Sequence, residues 1–199
     1  MTEPSLPAPP YSSVEFTALV NQYQRALFGF IVGLVRQSEL AHDLTQDTFY
    51  DAWRAASQQQ PPFTPESQPE EIKPWLFQVA YHRAISALRR QRLIFFEPLE
   101  RPGDTSLNYP DHSGAFEATI AERESLRTAL ASLAPDDAAC LLLRVVQGFS
   151  AAEVAAILGI SPESIYKRLF HAKQRLRSAY LAQEQPSQPA RYQKDTHRC

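Results

Sequence analysis

The sequence predicts an all-α chain of two small helical domains joined by a flexible acidic linker, the second a helix-turn-helix domain. Three observations carry that reading. Apolar residues recur at helical spacing through most of the chain, while strand-type alternation is weak throughout. Residues 97–113 (EPLERPGDTSLNYPDHS) break the pattern with three prolines, a glycine and four acids, and keep no helical period. Residues 150–177 (SAAEVAAILGISPESIYKRLFHAKQRLR) hold a short amphipathic helix, a tight turn at Gly159 and a newly capped basic helix.

In chain order, residues 1–13 are rich in proline and serine and are expected to form a disordered tail. From Val14 to about Ala56 the apolar spacing predicts two helices, broken near Arg36–Ser38. Residues 57–73 carry four prolines and four glutamines and read as a loop. A further helix runs from about Pro74 to Arg92, with Pro74 in the first turn, where a missing N–H costs nothing. These elements make a first domain over 14–96, followed by the linker at 97–113. The second domain, 114–182, is expected to hold helices at about 114–133, 136–147, 150–158 and 162–182. Gly148 stands where a helix end favours a left-handed residue. Ser150 and Glu153 have the spacing of a capping box, and Ser161 precedes Pro162 in the order N-cap, first helical position. Residues 183–199 turn polar and are expected to be a disordered tail.

Composition narrows the function classes. The 199 residues have a formal net charge of −2, which argues against a generic nucleic-acid coat, so the distribution of charge matters more than its total. Cys140 and Cys199 form no disulfide framework and no metal spacing, and a reducing cytoplasm is the expected setting. The opening MTEPSLPAPPYSS lacks a basic and an apolar signal region, and no run reaches the roughly 18 apolar residues of a membrane span. No Gly-rich phosphate loop, no H-E-x-x-H, no G-x-S-x-G and no clustered His or Cys ligands occur, so neither catalytic residues, a metal nor a cofactor is expected, and the chain does not read as an enzyme.

Three surfaces stand out. Glu39, Asp43, Asp47 and Asp51 lie four residues apart; like charges so placed repel by roughly 0.2–0.5 kcal/mol per pair, a cost that a basic partner surface would repay. Residues 73–96 have the opposite sign, with five Lys/Arg and no acid. On a helical wheel Phe77, Ala80, Tyr81, Ala84 and Leu88 form the core side of that helix. Val79, His82, Ser86, Arg89 and Arg90 form the other, with Arg83 beside them and Trp75 at the start. Arginines can follow a single-stranded backbone, and aromatic rings or histidine can stack on unpaired bases. In the last basic helix Ile165, Leu169, Ala172 and Leu176 face inward, and Ser164, Lys167, Arg168, His171 and Arg175 face outward. From Ser164 to Gln183 there are five Lys/Arg and no acid, as suits a helix bound for the major groove. His171 has no second metal ligand at helical spacing.

Together these segments resemble one family. DLTQDTFYDAWRAA (43–56) resembles the segment by which sigma factors grip the polymerase clamp, and PWLFQVAYHRAISALRR (74–90) resembles their promoter-melting helix. The helix-turn-helix, preceded by LASLAPDDAACLLLRVVQGFS, is similar to their upstream-element reader. Order and spacing match the two-domain extracytoplasmic-function group of the sigma-70 family. The resemblance implies an alternative RNA polymerase sigma factor that directs promoter-specific initiation. It implies core RNA polymerase (the β′ clamp and the β flap), promoter DNA and an anti-sigma factor as partners, with no membrane insertion. Carried over, Asp43, Gln46 and Asp47 face the clamp. Trp75, His82, Arg83, Ser86, Arg89 and Arg90 serve the −10 element, and Ser164, Lys167, Arg168, His171 and Arg175 serve the −35 element. The chain departs from the family in having Tyr81-His82 where Arg-Asn is common and Ser86 where Asp is common. It also has Tyr166 for a frequent Lys and Phe170 for a frequent His. The rival reading is a helix-turn-helix regulator acting without core polymerase. It explains 150–177 and leaves the acidic row and the 74–92 helix without a purpose.

Overall fold

A computed structural model of the chain describes residues 13–64, 67–94 and 118–184. Among these residues the elements are helices α1 (Ser13–Val35), α2 (Ser38–Ser57), α3 (Pro69–Ile94), α4 (Ala118–Ala131) and α5 (Pro135–Leu141), a π turn (Leu142–Val146), and helices α6 (Ala151–Leu158) and α7 (Pro162–Glu184). No strand occurs among the described residues, as the weak alternation predicts. The linker and most of the two tails lie outside the described residues.

Helices α1, α2 and α3 pack as one unit around Leu27, Phe30, Ile31, Leu34, Ala41, Ala52, Leu76, Phe77, Ala80 and Ala84, all essentially free of solvent. The break between α1 and α2 falls where the spacing predicts. Arg36 there adopts φ 62°, a left-handed conformation that costs a non-glycine residue about 1 kcal/mol. Its guanidinium offsets that cost by donating to the Leu133 carbonyl at 2.8 Å, a bond the local sequence gives no hint of. Two threonines are buried on α2, and each returns its hydroxyl proton to a carbonyl one turn back, Thr45 to Ala41 and Thr48 to Leu44.

The third helix departs from expectation. It starts at Pro69, so the loop is shorter than 57–73 and Pro74 lies inside the helix instead of in its first turn. The start has the chemistry of a helix N-terminus one proline earlier. Pro69 has no N–H to leave unpaired, Glu70 and Glu71 meet the positive end of the helix dipole, and Ile72 is buried.

In the second half, α7 packs across α4, α5 and α6 through Ile165, Leu169 and Ala172. The predicted punctuation is present. Gly148 has φ 75° and Gly159 φ 65°. The Ser150 side chain accepts from the Glu153 N–H at 3.2 Å while the Glu153 carboxylate accepts from the Ser150 N–H at 2.7 Å. The stretch expected as one helix over 136–147 is instead α5 running into the π turn, with Gln147 N–H bonding back to Leu142 at 3.0 Å. That extra residue leaves Val145 and Val146 exposed and turns Phe149 inward.

The two halves share one apolar cluster. Phe30 meets Phe77 edge-on at 5.3 Å, and Phe77 meets Phe149 of the second half at 5.3 Å. Lys73 lies 4.6 Å over the Phe149 ring and donates to the Gln147 carbonyl at 2.8 Å. Gly33 admits Leu142, whose methyl would stand 2.7 Å from any added Cβ.

Candidate nucleic-acid interface

Helix α2 buries Leu44, Thr48 and Ala52 against α1 and α3, which turns Glu39, Asp43, Gln46 and Asp47 to solvent. The same outer side carries two large rings that the acidic spacing did not point to, Tyr50 at 65% and Trp53 at 42% exposure. Trp53 is steadied by an edge contact with Phe16 at 5.0 Å. The acidic row is not one continuous open surface. Arg83 of α3 reaches it, with Nη1 on Asp47 at 2.8 Å and both Nε and Nη2 on Asp51 at 2.8 and 2.6 Å. Half of the row therefore has a use within the fold, as the anchor of α3 on α2, and Asp43 and Gln46 lie beyond that anchor.

On α3 the exposed ridge runs His82, Ser86, Arg89, Arg90, with Leu93 at its end. Arg83 stands off this ridge, turned toward α2. Trp75 is half-buried and packs edge-on against the buried Phe63 ring of the preceding loop at 5.5 Å. It fixes the loop to the helix and sits at the base of the ridge. The ridge thus offers two arginines, an imidazole and a hydroxyl to one side, which is the composition that follows a single strand.

Tyr81, on the core side of α3, donates to the Asp136 carboxylate of α5 at 3.1 Å. Burial, with the Asp136 charge and its hydrogen bond adding to it, pushes the phenol up to about 12, so it is a donor at neutral pH. Asp136 and Asp137 occupy the first turn of α5, where the helix dipole favours acids. Arg168 Nη1 of α7 lies 3.6 Å from Asp136 and 3.9 Å from Asp137, and Arg175 Nη1 lies 3.1 Å from Asp137. A single carboxylate, Asp136, therefore stands between a residue of α3 and a residue of the second helix of the helix-turn-helix. Neither aspartate is a sequence-level candidate. They are 31 to 38 residues from the arginines they hold, beyond any helical spacing.

On α7 the five expected residues divide. Lys167 and His171 are exposed on the outward side. Arg168 and Arg175 bend toward the α5 carboxylates. Ser164 is exposed, yet its hydroxyl shares a proton with Ser161 at 3.0 Å and its N–H lies 3.4 Å from the Ser161 hydroxyl, which places it in the N-terminal cap. Glu163 adds to that cap; hydrogen bonds from its own N–H and from Ser161 hold its carboxyl below the usual range. Beside Lys167 and His171, the first turns of α7 also expose Tyr166 and Phe170. Among the described residues no cluster of His, Cys, Asp and Glu could hold a metal, and no helix is long and apolar enough to cross a membrane.

Comparison with known proteins gives this geometry a family. Residues 19–94 match the family described as Sigma-70 region 2, and residues 123–176 match that described as Sigma-70, region 4. The chain is 30% identical to RNA polymerase sigma factor CarQ of Myxococcus xanthus over 81% of its length and 87% of that protein's. It is 29% identical to RNA polymerase sigma factor YlaC of Bacillus subtilis over 80% of its length and 88% of that protein's. Among solved structures, the sigma factor RpoE in complex with the anti-sigma factor NepR from Bartonella quintana has the same fold. The TM-score is 0.66 at 24% identity, covering 83% of this chain and 96% of that one. CnrH in complex with the cytosolic domain of CnrY follows with a TM-score of 0.60 at 22% identity, covering 87% of this chain and 92% of that one.

Proposed function

The chain belongs to the extracytoplasmic-function group of the sigma-70 family and is an alternative sigma factor for promoter-specific transcription initiation, and from that premise we propose how its surfaces divide the work. Residues 14–96 form the domain that binds core polymerase and opens the −10 element, 97–113 the linker, and 114–182 the domain that reads the −35 element. Asp43 and Gln46, with Asp47 at the edge of the Arg83 anchor, meet the β′ clamp, and the rings of Tyr50 and Trp53 add apolar area to that contact. Arg89 and Arg90 carry the melted strand, His82 and Ser86 face its bases, and Trp75 sets the loop beside them. Lys167 and His171 enter the upstream major groove. Arg168 and Arg175 brace α7 against α5 through Asp136 and Asp137, and Ser164 sets its cap. The β flap receives the second domain. An anti-sigma protein is a further partner, in keeping with the complexes that the two solved relatives form. The chain works in the cytoplasm as a specificity subunit and carries no catalysis of its own.

The described arrangement is a closed form of the molecule. Elements named −35 and −10 lie about 25 base pairs apart, roughly 85 Å at ~3.4 Å per pair. Tyr81 and Arg168 meet at one carboxylate. Both reading helices can engage a promoter only after the halves separate, and residues 95–117, extended at ~3.5 Å each, can span roughly 80 Å.

The observation that carries this reading is the coexistence, on one chain, of an acid-and-aromatic face on α2, an arginine ridge on α3 and a capped helix-turn-helix. The test is transcription with purified core polymerase on a library of promoter fragments. Transcripts should arise from fragments sharing one −35 and −10 pair, and only with core and this chain together. Tight, sequence-selective duplex binding by the chain alone, with no transcript, would favour the regulator reading instead.

A further inference from the structure

Helix α7 turns two aromatic rings to water, Tyr166 at 68% and Phe170 at 58% exposure. They are one helical turn apart and flank Lys167. The fold makes no use of them: Ile165, Leu169 and Ala172 fill the inner side of the helix, and the ring contact recorded for Phe170 is with His171, its sequence neighbour. A single exposed ring is ordinary on a protein surface. Two of them in the first turns of the second helix of a helix-turn-helix occupy the part of the fold that meets base edges. Of its three arginines, the usual bidentate readers of guanine, Arg168 and Arg175 pair with Asp136 and Asp137, and Arg177 lies about two turns beyond Phe170. Between Ile165 and Ala172 the exposed side chains are Tyr166, Lys167, Phe170 and His171, with no guanidinium group among them.

The major groove presents one apolar feature, the C5 methyl of thymine. We propose that Tyr166 and Phe170 are specificity-determining residues that read thymine methyl groups in the −35 element. Phe170 has no donor or acceptor, so its contact is with the methyl alone, while Tyr166 can add a hydrogen bond through its hydroxyl. Four residues of α-helix rise ~6 Å, against ~3.4 Å per base pair. The two thymines therefore lie about two steps apart, on either strand. Lys167, between the rings, supplies charge for the phosphates. This inference rests on the reading that α7 enters the upstream groove.

Deoxyuridine keeps every hydrogen-bonding group of thymidine and lacks only the methyl, so it isolates the contact. Promoter duplexes with single dU-for-dT replacements across the −35 element are titrated with the holoenzyme. A dU at one or two positions, about two steps apart, should weaken binding roughly three- to five-fold, the worth of one buried methyl. Phe170→Ala should bind the dT promoter more weakly and lose the dU penalty at one position, and Tyr166→Ala should lose it at the other. Both side chains are exposed, so helical content and the melting midpoint should stay unchanged. Equal affinity for dT and dU at every position, or a dU penalty that survives both substitutions, overturns the inference. Lys167→Ala tells the two failures apart. If it weakens binding while dU does not, methyl reading alone fails; if neither matters, α7 is not in the groove and both readings fall.

Discussion

The guanidinium of Arg83 commits three of its five N–H donors to Asp47 and Asp51, which leaves two for any outside acceptor. Its side chain and that of Asp51 are each about a third exposed, 30% and 33%, so the attraction is partly screened. Arg83→Ala should therefore destabilise the chain by about 1 kcal/mol. A calorimetric scan would show this as a lower midpoint, whereas Arg89→Ala, at an exposed position, should leave the midpoint in place. The same geometry separates two neighbouring aspartates. Asp43→Lys should weaken binding to core polymerase without changing thermal stability, because Asp43 lies outside the Arg83 anchor. Asp47→Lys should change both. Titration of labelled chain into core polymerase, beside melting curves, checks the pair; equal core affinity for wild type and Asp43→Lys would remove α2 from the contact.

At the scale of elements, the helix-turn-helix depends on two short devices, the Ser150–Glu153 capping box and the left-handed turn at Gly159. Ser150→Ala should cost about 1 kcal/mol, and Gly159→Ala should cost about 1–2 kcal/mol for its positive φ. The box is also sensitive to pH. Hydrogen bonds from Ser150 hold the Glu153 carboxyl below the usual range. Because the folded value is the lower one, the stabilisation is present above the unfolded carboxyl value and is lost as pH falls through the folded one. Glu153→Gln keeps the hydrogen-bonding shape without the charge, so its melting midpoint should fall less steeply on acidification than that of the wild type. Identical acid profiles would contradict this. These devices were legible in the sequence because each is written within four residues, as were the break at Arg36 and the core stripes of α3 and α7. The start of α3 was legible too, in Pro69-Glu70-Glu71, but Pro74 offered a second proline start and hid it. The π turn has no such local sign. Nor has the pairing of Arg83 with α2, or of Arg168 and Arg175 with α5: each is a meeting of residues far apart in the chain, decided by how helices pack. Charge pattern alone therefore could not show that Arg83, Arg168 and Arg175 also meet carboxylates within the fold.

Across the whole molecule, the closed form is held by the shared apolar cluster around the Phe77–Phe149 ring pair and by a few polar contacts, among them Arg36 to Leu133. Lys73→Ala with Tyr81→Phe removes the bonds to Gln147 and Asp136 and touches nothing inside the second half. At roughly 1 kcal/mol per hydrogen bond, the pair should shift the balance toward the open form by about 10- to 30-fold. Small-angle scattering should then report a larger radius of gyration, and an unchanged radius would mean that the apolar contact and the Arg36–Leu133 bond suffice to hold the halves. On the proposed mechanism, opening brings the two reading helices to their elements, and the α3 ridge holds the strand that melting frees. Permanganate footprinting of melted thymines, with core polymerase and a −10/−35 promoter, tests that claim most directly. Arg89→Ala with Arg90→Ala should still bind core and still protect the −35 element, yet show no reactive thymines in the −10 region. Wild-type reactivity in that double variant would contradict the account and leave the chain a binder of closed duplex.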